Sequence, residues 1–253
     1  MRKVWLGVFL FCVIFQSENL QAARRPNILW IIGENISLDL GLYGAELVYT
    51  PNLDRLAKEG MLFTKVFATS PVCAPSRSAF MTGMYQTTTG THHMRSHRDD
   101  DYRLPPGVRP LTHWLQDAGY RTFNIVKIGS QTVGTGKLDL NFVNEGPIFQ
   151  SDKWSELKHS QPFYAQVNLP EVEYDIYDRK CRLKKRVPWV GEAEHPKIAT
   201  AERVKVPPYY PDHPVVRQEW ARFLNSVSGM DRRVGLILEQ LKKEDLLEST
   251  VIF

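Results

Sequence analysis

Residues 25–33 read RPNILWIIG, and the unbroken run Ile28, Leu29, Trp30, Ile31 and Ile32 decides the fold class. A strand with one wet face alternates apolar and polar residues, whereas a strand covered on both faces reads as a continuous apolar run. Five apolar residues closed by Gly33 therefore predict a strand buried on both faces, which parallel α/β architecture provides. Downstream segments keep helix and strand alternating. In TPNLDRLAKEGMLFTKVFA, residues 50–68, Thr50 stands at an N-cap position, Pro51 opens a helix, and Leu53, Leu56 and Ala57 fall at helical spacing. Gly60 ends that helix, and MLFTKVFA predicts a strand. PSRSAFMTGM places Pro75 in the first turn of another helix, stopped at Gly83, and residues 109–128 give a helix, a glycine turn and the strand RTFNIVKI. QPFYAQVNL, residues 161–169, predicts a further strand, and residues 170–214 a long polar loop. Residues 213–247 predict a long amphipathic helix, with Trp220, Phe223, Leu224, Val227, Met230, Val234 and Leu238 on its core face. STVIF, at the end, opens one more strand.

The bulk numbers fit one large domain. Of 253 residues, 43% are hydrophobic and 24% charged, enough for a substantial core and too apolar for disorder to be the default. Residues 1–22, MRKVWLGVFLFCVIFQSENLQA, read as a secretory signal, with Arg2 and Lys3 as its basic start and Ala22 at the cleavage site. Its apolar run, residues 4–15, is too short to span a bilayer comfortably, so no stable membrane anchor is expected; an uncleaved anchor is the alternative. The protein is thus expected to be exported: periplasmic, secreted or lysosomal according to its source. Losing Arg2, Lys3 and Glu18 with the signal leaves a slight basic excess scattered among acids, which speaks against a nucleic-acid partner. The local exception, DRKCRLKKR at residues 178–186, reads as a solvated loop, with an anionic-substrate rim as the other option. Cys12 leaves with the signal, and an exported chain can pair the two that stay, Cys73 and Cys181.

PVCAPSRSAFMTG, residues 71–83, carries the chemistry. Its cysteine is a packed thiol, half of a disulfide, or the precursor of a nucleophile. CAPSRSAFMTG resembles the C-x-P-S-R-x-x-x-L-T-G signature of the type I, formylglycine-dependent sulfatases, with Met81 where leucine is usual. PNILWIIGEN and GLYGAELVYTPNLDRLAKEGMLFTKVFA resemble that family's opening strand, metal loop and first helix. GYRTFNIVKIGSQTVGTGKLDLNF resembles its G-K-W-H segment in divergent form, and the details look closest to the heparan N-sulfatase-like branch.

The resemblance implies an alkaline-phosphatase-like α/β sandwich with a central, mostly parallel sheet flanked by helices, of which residues 23–253 form the N-terminal part. It implies hydrolysis of a sulfate ester or N-sulfate on a sulfated small molecule or glycan. Cys73 would be oxidised to Cα-formylglycine by a formylglycine-generating enzyme. The hydrated aldehyde attacks sulfur and expels sulfate by re-forming the carbonyl, an exit a thiolate lacks. Pro75 opens a helix whose free N–H groups face the anion, and Arg77, a permanent cation, steadies the residue-73 hydroxylate. The family's metal, Ca2+ or another divalent ion, implies Glu34, Asn35 and residue 73 as ligands at the end of the first strand, where most relatives carry two aspartates. Asp39 is a nearby carboxylate able to compensate. Asn35 as a turn cap and Glu34 as a solvated side chain remain the alternative.

Lys137 matches the family's sulfate-binding lysine. The histidine expected two residues later is Asp139, and Glu173 stands about where relatives often carry another histidine. Both positions face the substrate in the family, yet an ionised carboxylate accepts a hydrogen bond where an imidazole can also donate one. His92 and His93, in TGTHHMRSH, are the candidates for the missing leaving-group acid, with a surface role as the alternative. The remaining metal ligands of the family follow the strand that STVIF opens, so the chain taken alone is expected to be inactive. Two rival readings stand beside this one: a non-catalytic relative that binds sulfated glycans, and a phosphatase or phosphodiesterase of the same superfamily, which would need a serine or threonine nucleophile and more metal ligands.

Overall fold

The opening apolar run forms β1 (Asn27–Gly33), and it lies between two parallel neighbours in a six-stranded sheet. The computed structural model describes residues 25–94, 101–172 and 199–253. The signal, Glu173, Cys181 and the basic run 178–186 lie outside the described residues. The other strands are β2 (Arg121–Ile128), β3 (Gln131–Thr132), β4 (Ser151–Lys153), β5 (Phe163–Leu169) and β6 (Thr250–Ile252). Their order is β3-β2-β5-β1-β6, with β4 also paired to β2. Among the described strands only the β2–β3 pair is antiparallel, so the sheet is mostly parallel as expected.

Burial is distributed differently from the sequence expectation. β5 is buried at all seven positions, whereas in β1 only Asn27 and Leu29 are fully inside. The rest of β1 is partly covered, with Trp30 packed on Phe80 at a ring separation of 4.9 Å. The larger departure is residues 61–68, which form no strand. Met61 is 77% exposed and Phe67 84%. Strand-forming side chains make a strand only where a neighbour takes their backbone N–H and C=O groups, and no described strand does so here.

Among the described residues four α-helices flank the sheet: α1 (Pro51–Glu59), α2 (Cys73–Thr82), α3 (Leu111–Asp117) and α4 (Pro214–Lys243). The apolar face of α4 supplies Val227, Met230, Val234 and Leu238 to the core that also holds Leu29, Phe123, Ile125, Ala165 and Val167. Trp220 and Phe223 stay partly buried at its edge, their rings stacked at 4.9 Å.

Thr50 occupies the N-cap position of α1 but does not cap it; its hydroxyl bonds Asp54, 3.1 Å away. The cap comes from α4 instead. Asp231, fully buried, accepts from Leu53 N at 2.8 Å, Asn52 N at 3.2 Å and Asn52 Nδ2 at 2.9 Å. A carboxylate at a helix N-terminus satisfies orphan donors and meets the positive end of the dipole. Burial nevertheless pushes the Asp231 carboxyl up, the N–H donors only partly offsetting it. Replacing Asp231 with alanine strands these donors inside the α1–α4 contact and is expected to remove about 3 kcal/mol of stability, read by urea unfolding. Because the folded state holds the Asp231 proton to higher pH than the unfolded chain, the stability gap between wild type and Asp231→Asn falls as pH rises above about 4.

Candidate active site

A group of buried charges lies at the carboxyl ends of β1 and β5. Helix α2 starts at Cys73, with Val72 extended at the N-cap and making no side-chain cap, and closes at Gly83 in the left-handed region (φ 68°) that glycine adopts without strain. One turn in from Cys73, the same helix carries Arg77 into the interior, where it is 3% exposed. Its guanidinium forms an ion pair with Glu34, which directly follows β1 and is 5% exposed. Lys137 approaches the same carboxylate, Nζ lying 3.5 Å from Oε2, and stands 3.8 Å from Asp139. Such charges are tolerated inside only when paired.

A set of buried amides holds the Arg77 guanidinium and the backbone at Lys137. Arg77 Nη1 donates to Asn168 Oδ1 at 2.8 Å. Gln166 Nε2 donates to the same oxygen at 3.1 Å. Asn168 Nδ2 donates to Asn124 Oδ1 at 3.0 Å and to the Lys137 carbonyl at 3.1 Å, and Asn124 Nδ2 donates to the Gly136 carbonyl at 2.8 Å. The segment leading to Lys137 lies tight against the sheet. Thr135 N donates to the Asn168 carbonyl at 3.0 Å, and a Cβ on Gly134 would collide with the Ile125 carbonyl oxygen, so glycine is required there.

Cys73 is half-buried and forms no disulfide among the described residues. A helix N-terminus normally acidifies a thiol. Here burial pushes the thiol up first, and its hydrogen bond to Asp139 adds to this, while Lys137 pulls the other way. Burial and Asp139 win, so the unmodified thiol stays protonated near neutrality. The structure thus brings Glu34, Cys73, Arg77, Lys137 and Asp139 together.

Asn35 is exposed and adopts a left-handed conformation (φ 48°). Asp39 is partly buried, its carboxyl raised by burial. His92 and His93 are exposed, their rings 4.1 Å apart. Their loop is fastened to the site's neighbourhood: Asn141 Nδ2 donates to the carbonyls of Thr91, at 2.7 Å, and His93, and Asn141 N donates to Ser78 Oγ of α2 at 2.9 Å. Asn124, Gln166 and Asn168 escaped the sequence reading. The only signal for them is one amide inside the apolar stretch Phe123–Val126 of β2 and two at period 2 on the otherwise apolar β5.

A resident calcium ion takes six to eight oxygens. Glu34 and Asn35 offer hard oxygen donors of the right kind, but among the described residues no group of three or more His, Cys, Asp or Glu side chains is placed to hold a metal. The carboxylate of Glu34 also already serves Arg77 and Lys137. The described residues alone do not fit the ion.

Comparison with known proteins agrees with this layout. An ulvan-active sulfatase of Formosa agariphila is 31% identical over 269 residues, which cover 94% of this chain and 44% of the relative. Human N-sulphoglucosamine sulphohydrolase is 27% identical over 270 residues, covering 95% of this chain and 52% of the relative. The chain therefore spans about half the length of these curated relatives. A solved protein in complex with its substrate D-glucosamine-2-N,6-O-disulfate superposes with a TM-score of 0.56 at 16% identity, covering 90% of this chain and 64% of the other, a likeness that shows the fold. That fold is the alkaline-phosphatase-like arrangement of a mostly parallel sheet with flanking helices. The profile of the sulfatases, finally, matches residues 26–253, nearly the whole chain, and the chain belongs to that family.

Proposed function

We propose that this chain is the nucleophile-bearing part of an exported sulfuric ester hydrolase that removes sulfate from a sulfated carbohydrate, with residue 73 acting as Cα-formylglycine. One observation carries the reading: Cys73, at the first position of α2, sits within the influence of Lys137 and Asp139, and the helix it starts delivers Arg77 to the same point. Sulfate transfer needs cations aimed at oxygens that gain charge and a base near the attacking hydroxyl. Arg77 and Lys137 meet the first need. A guanidinium has five N–H donors, enough to serve Glu34, Asn168 and a substrate oxygen together.

In the hydrated form of residue 73, one hydroxyl takes the place of the thiol and donates to Asp139. Asp139 accepts that proton as the oxygen attacks sulfur, and the bond from sulfur to the leaving oxygen breaks. The second hydroxyl then gives its proton to the solvent, the carbonyl re-forms as the bond from carbon to the sulfated oxygen breaks, and sulfate leaves. The replacement of the family's histidine by Asp139 is, in this reading, a change from donor to acceptor beside the nucleophile. His92 and His93, on the loop tied to α2, are proposed to meet the outer part of the substrate and supply a proton to the leaving group. Glu173 keeps its proposed place on the substrate side. No step is assigned to a metal, because the described residues bring too few donors, and for the same reason the 253-residue chain alone is proposed to be inactive. A sulfated glycan is favoured because the two relatives named above are called an ulvan-active sulfatase and an N-sulphoglucosamine sulphohydrolase.

The departures from the family's pattern, with Glu34 engaged by Arg77 and Lys137 and Asp139 in place of histidine beside Lys137, favour a second reading, a sulfated-glycan binder whose Cys73 is never converted. Co-expression with a formylglycine-generating enzyme separates the two. An aldehyde at residue 73, found by mass spectrometry and captured by a hydrazide, is the expected result; a thiol left intact under those conditions sinks the hydrolase proposal. In the unconverted chain, iodoacetamide should label Cys73 slowly at pH 8. The label should go on several-fold faster in Asp139→Asn, which removes a cause of the raised thiol, and more slowly in Lys137→Ala. Millimolar calcium should leave the thermal midpoint of the chain unchanged, since a ligand stabilises only what it binds; a rise of several degrees would mean that this chain holds the ion.

A further inference from the structure

Asn168 stands where the parts of the site meet. It is the last but one residue of β5, fully buried, and lies opposite Ile32 of β1, two residues before Glu34. Its side chain uses both kinds of capacity an amide has: the oxygen receives Arg77 and Gln166, and the nitrogen serves Asn124 and the Lys137 carbonyl. The orientation of that amide is fixed by its surroundings. Asn124 gives its own nitrogen to the Gly136 carbonyl, so its oxygen turns to Asn168, and the Asn168 oxygen is left to face Arg77. One side chain thereby joins the Arg77 guanidinium to the backbone of Lys137.

Burying a four-bonded amide in the fully covered strand of a sheet is not what stability alone would select, since an apolar residue there costs no desolvation. The residue has a use instead. We propose that Asn168 is a positioning residue that sets the spacing between the Arg77 guanidinium and Lys137 so that one tetrahedral sulfate group meets both cations. It touches neither sulfate nor the reacting atoms; it acts through its two neighbours. The proposal rests on the reading that Arg77 and Lys137 receive the sulfate, and the experiment distinguishes the failure of either.

Asn168→Asp keeps the size and the acceptor for Arg77 but turns a lone pair toward the Lys137 carbonyl and Asn124 Oδ1, and it sets a rival anion against Arg77. Asn168→Ser, neutral and shorter, is the second variant should the first not fold. Two readouts are needed on the 253-residue chain: inorganic sulfate affinity by calorimetry, and the nitrogen-15 NMR signals of the Arg77 guanidinium, whose protons exchange slowly while the hydrogen bond holds. The expected result is sulfate affinity reduced at least about tenfold in Asn168→Asp. In Asn168→Ser, whose side chain is too short to reach Arg77, the Arg77 protons lose protection, whereas in Asn168→Asp the carboxylate holds them; in both variants the β5 backbone amides exchange as in wild type. A purely structural role would instead release the β5 amides together with Arg77, and that outcome overturns the proposal. So does wild-type sulfate affinity with Arg77 still protected in a folded variant. Should wild type bind no sulfate while Arg77 protection still depends on Asn168, the sulfate reading of the cations fails and the positioning of Arg77 by Asn168 stands.

Discussion

The guanidinium of Arg77 cannot lose its charge, and it lies inside the protein. That constraint organises the rest of the site. An isolated buried cation costs several kcal/mol, so the fold must bring partners to it. It does so from both central strands: Glu34 arrives from the end of β1, and Asn168 from the end of β5. Because β1 and β5 are hydrogen-bonded neighbours in register, these partners are fixed relative to one another. Helix α2 is consequently pinned one turn from its start, and the residue at its start, Cys73, has a defined place.

From that place the local field follows. Asp139 and Lys137 act directly on residue 73, and the carboxylate, together with burial, dominates its proton affinity. A nucleophilic cysteine would need the reverse balance, with a cation or the helix terminus prevailing. The arrangement suits a hydroxyl that gives its proton to a neighbouring carboxylate. The same arrangement explains why the site is rigid on its sheet side: the loop carrying Lys137 is stitched to β5 through Thr135 and Asn168, and a side chain at position 134 would have no room.

Much of this was legible in the sequence, for reasons of periodicity and chemistry. β1, β2 and β5 announced themselves as apolar runs, α4 as a 3.6-residue pattern, and Cys73 with Arg77 as a helix start bearing a cation one turn later. What was not legible depended on contacts far apart in the chain. Asn168 and Asn124 looked like polar interruptions until their partners, 91 and 44 residues from Asn168, came into view. The cap of α1 was assigned to the adjacent Thr50 because local rules favour near neighbours, while the actual donors go to Asp231, about 180 residues on. Residues 61–68 carry strand-like composition, yet a ladder is a property of two segments, and the second is not among the described strands.

The central claim is that Arg77 and Lys137 jointly present one oxyanion position beside residue 73. A crystal structure of the chain grown with sulfate tests this most directly. The predicted result is a sulfate whose oxygens lie within hydrogen-bond distance of Arg77 and Lys137, next to the side chain of residue 73, with Asn168 still bonded to Arg77. Sulfate bound only elsewhere, with both cations closed on Glu34, would contradict it.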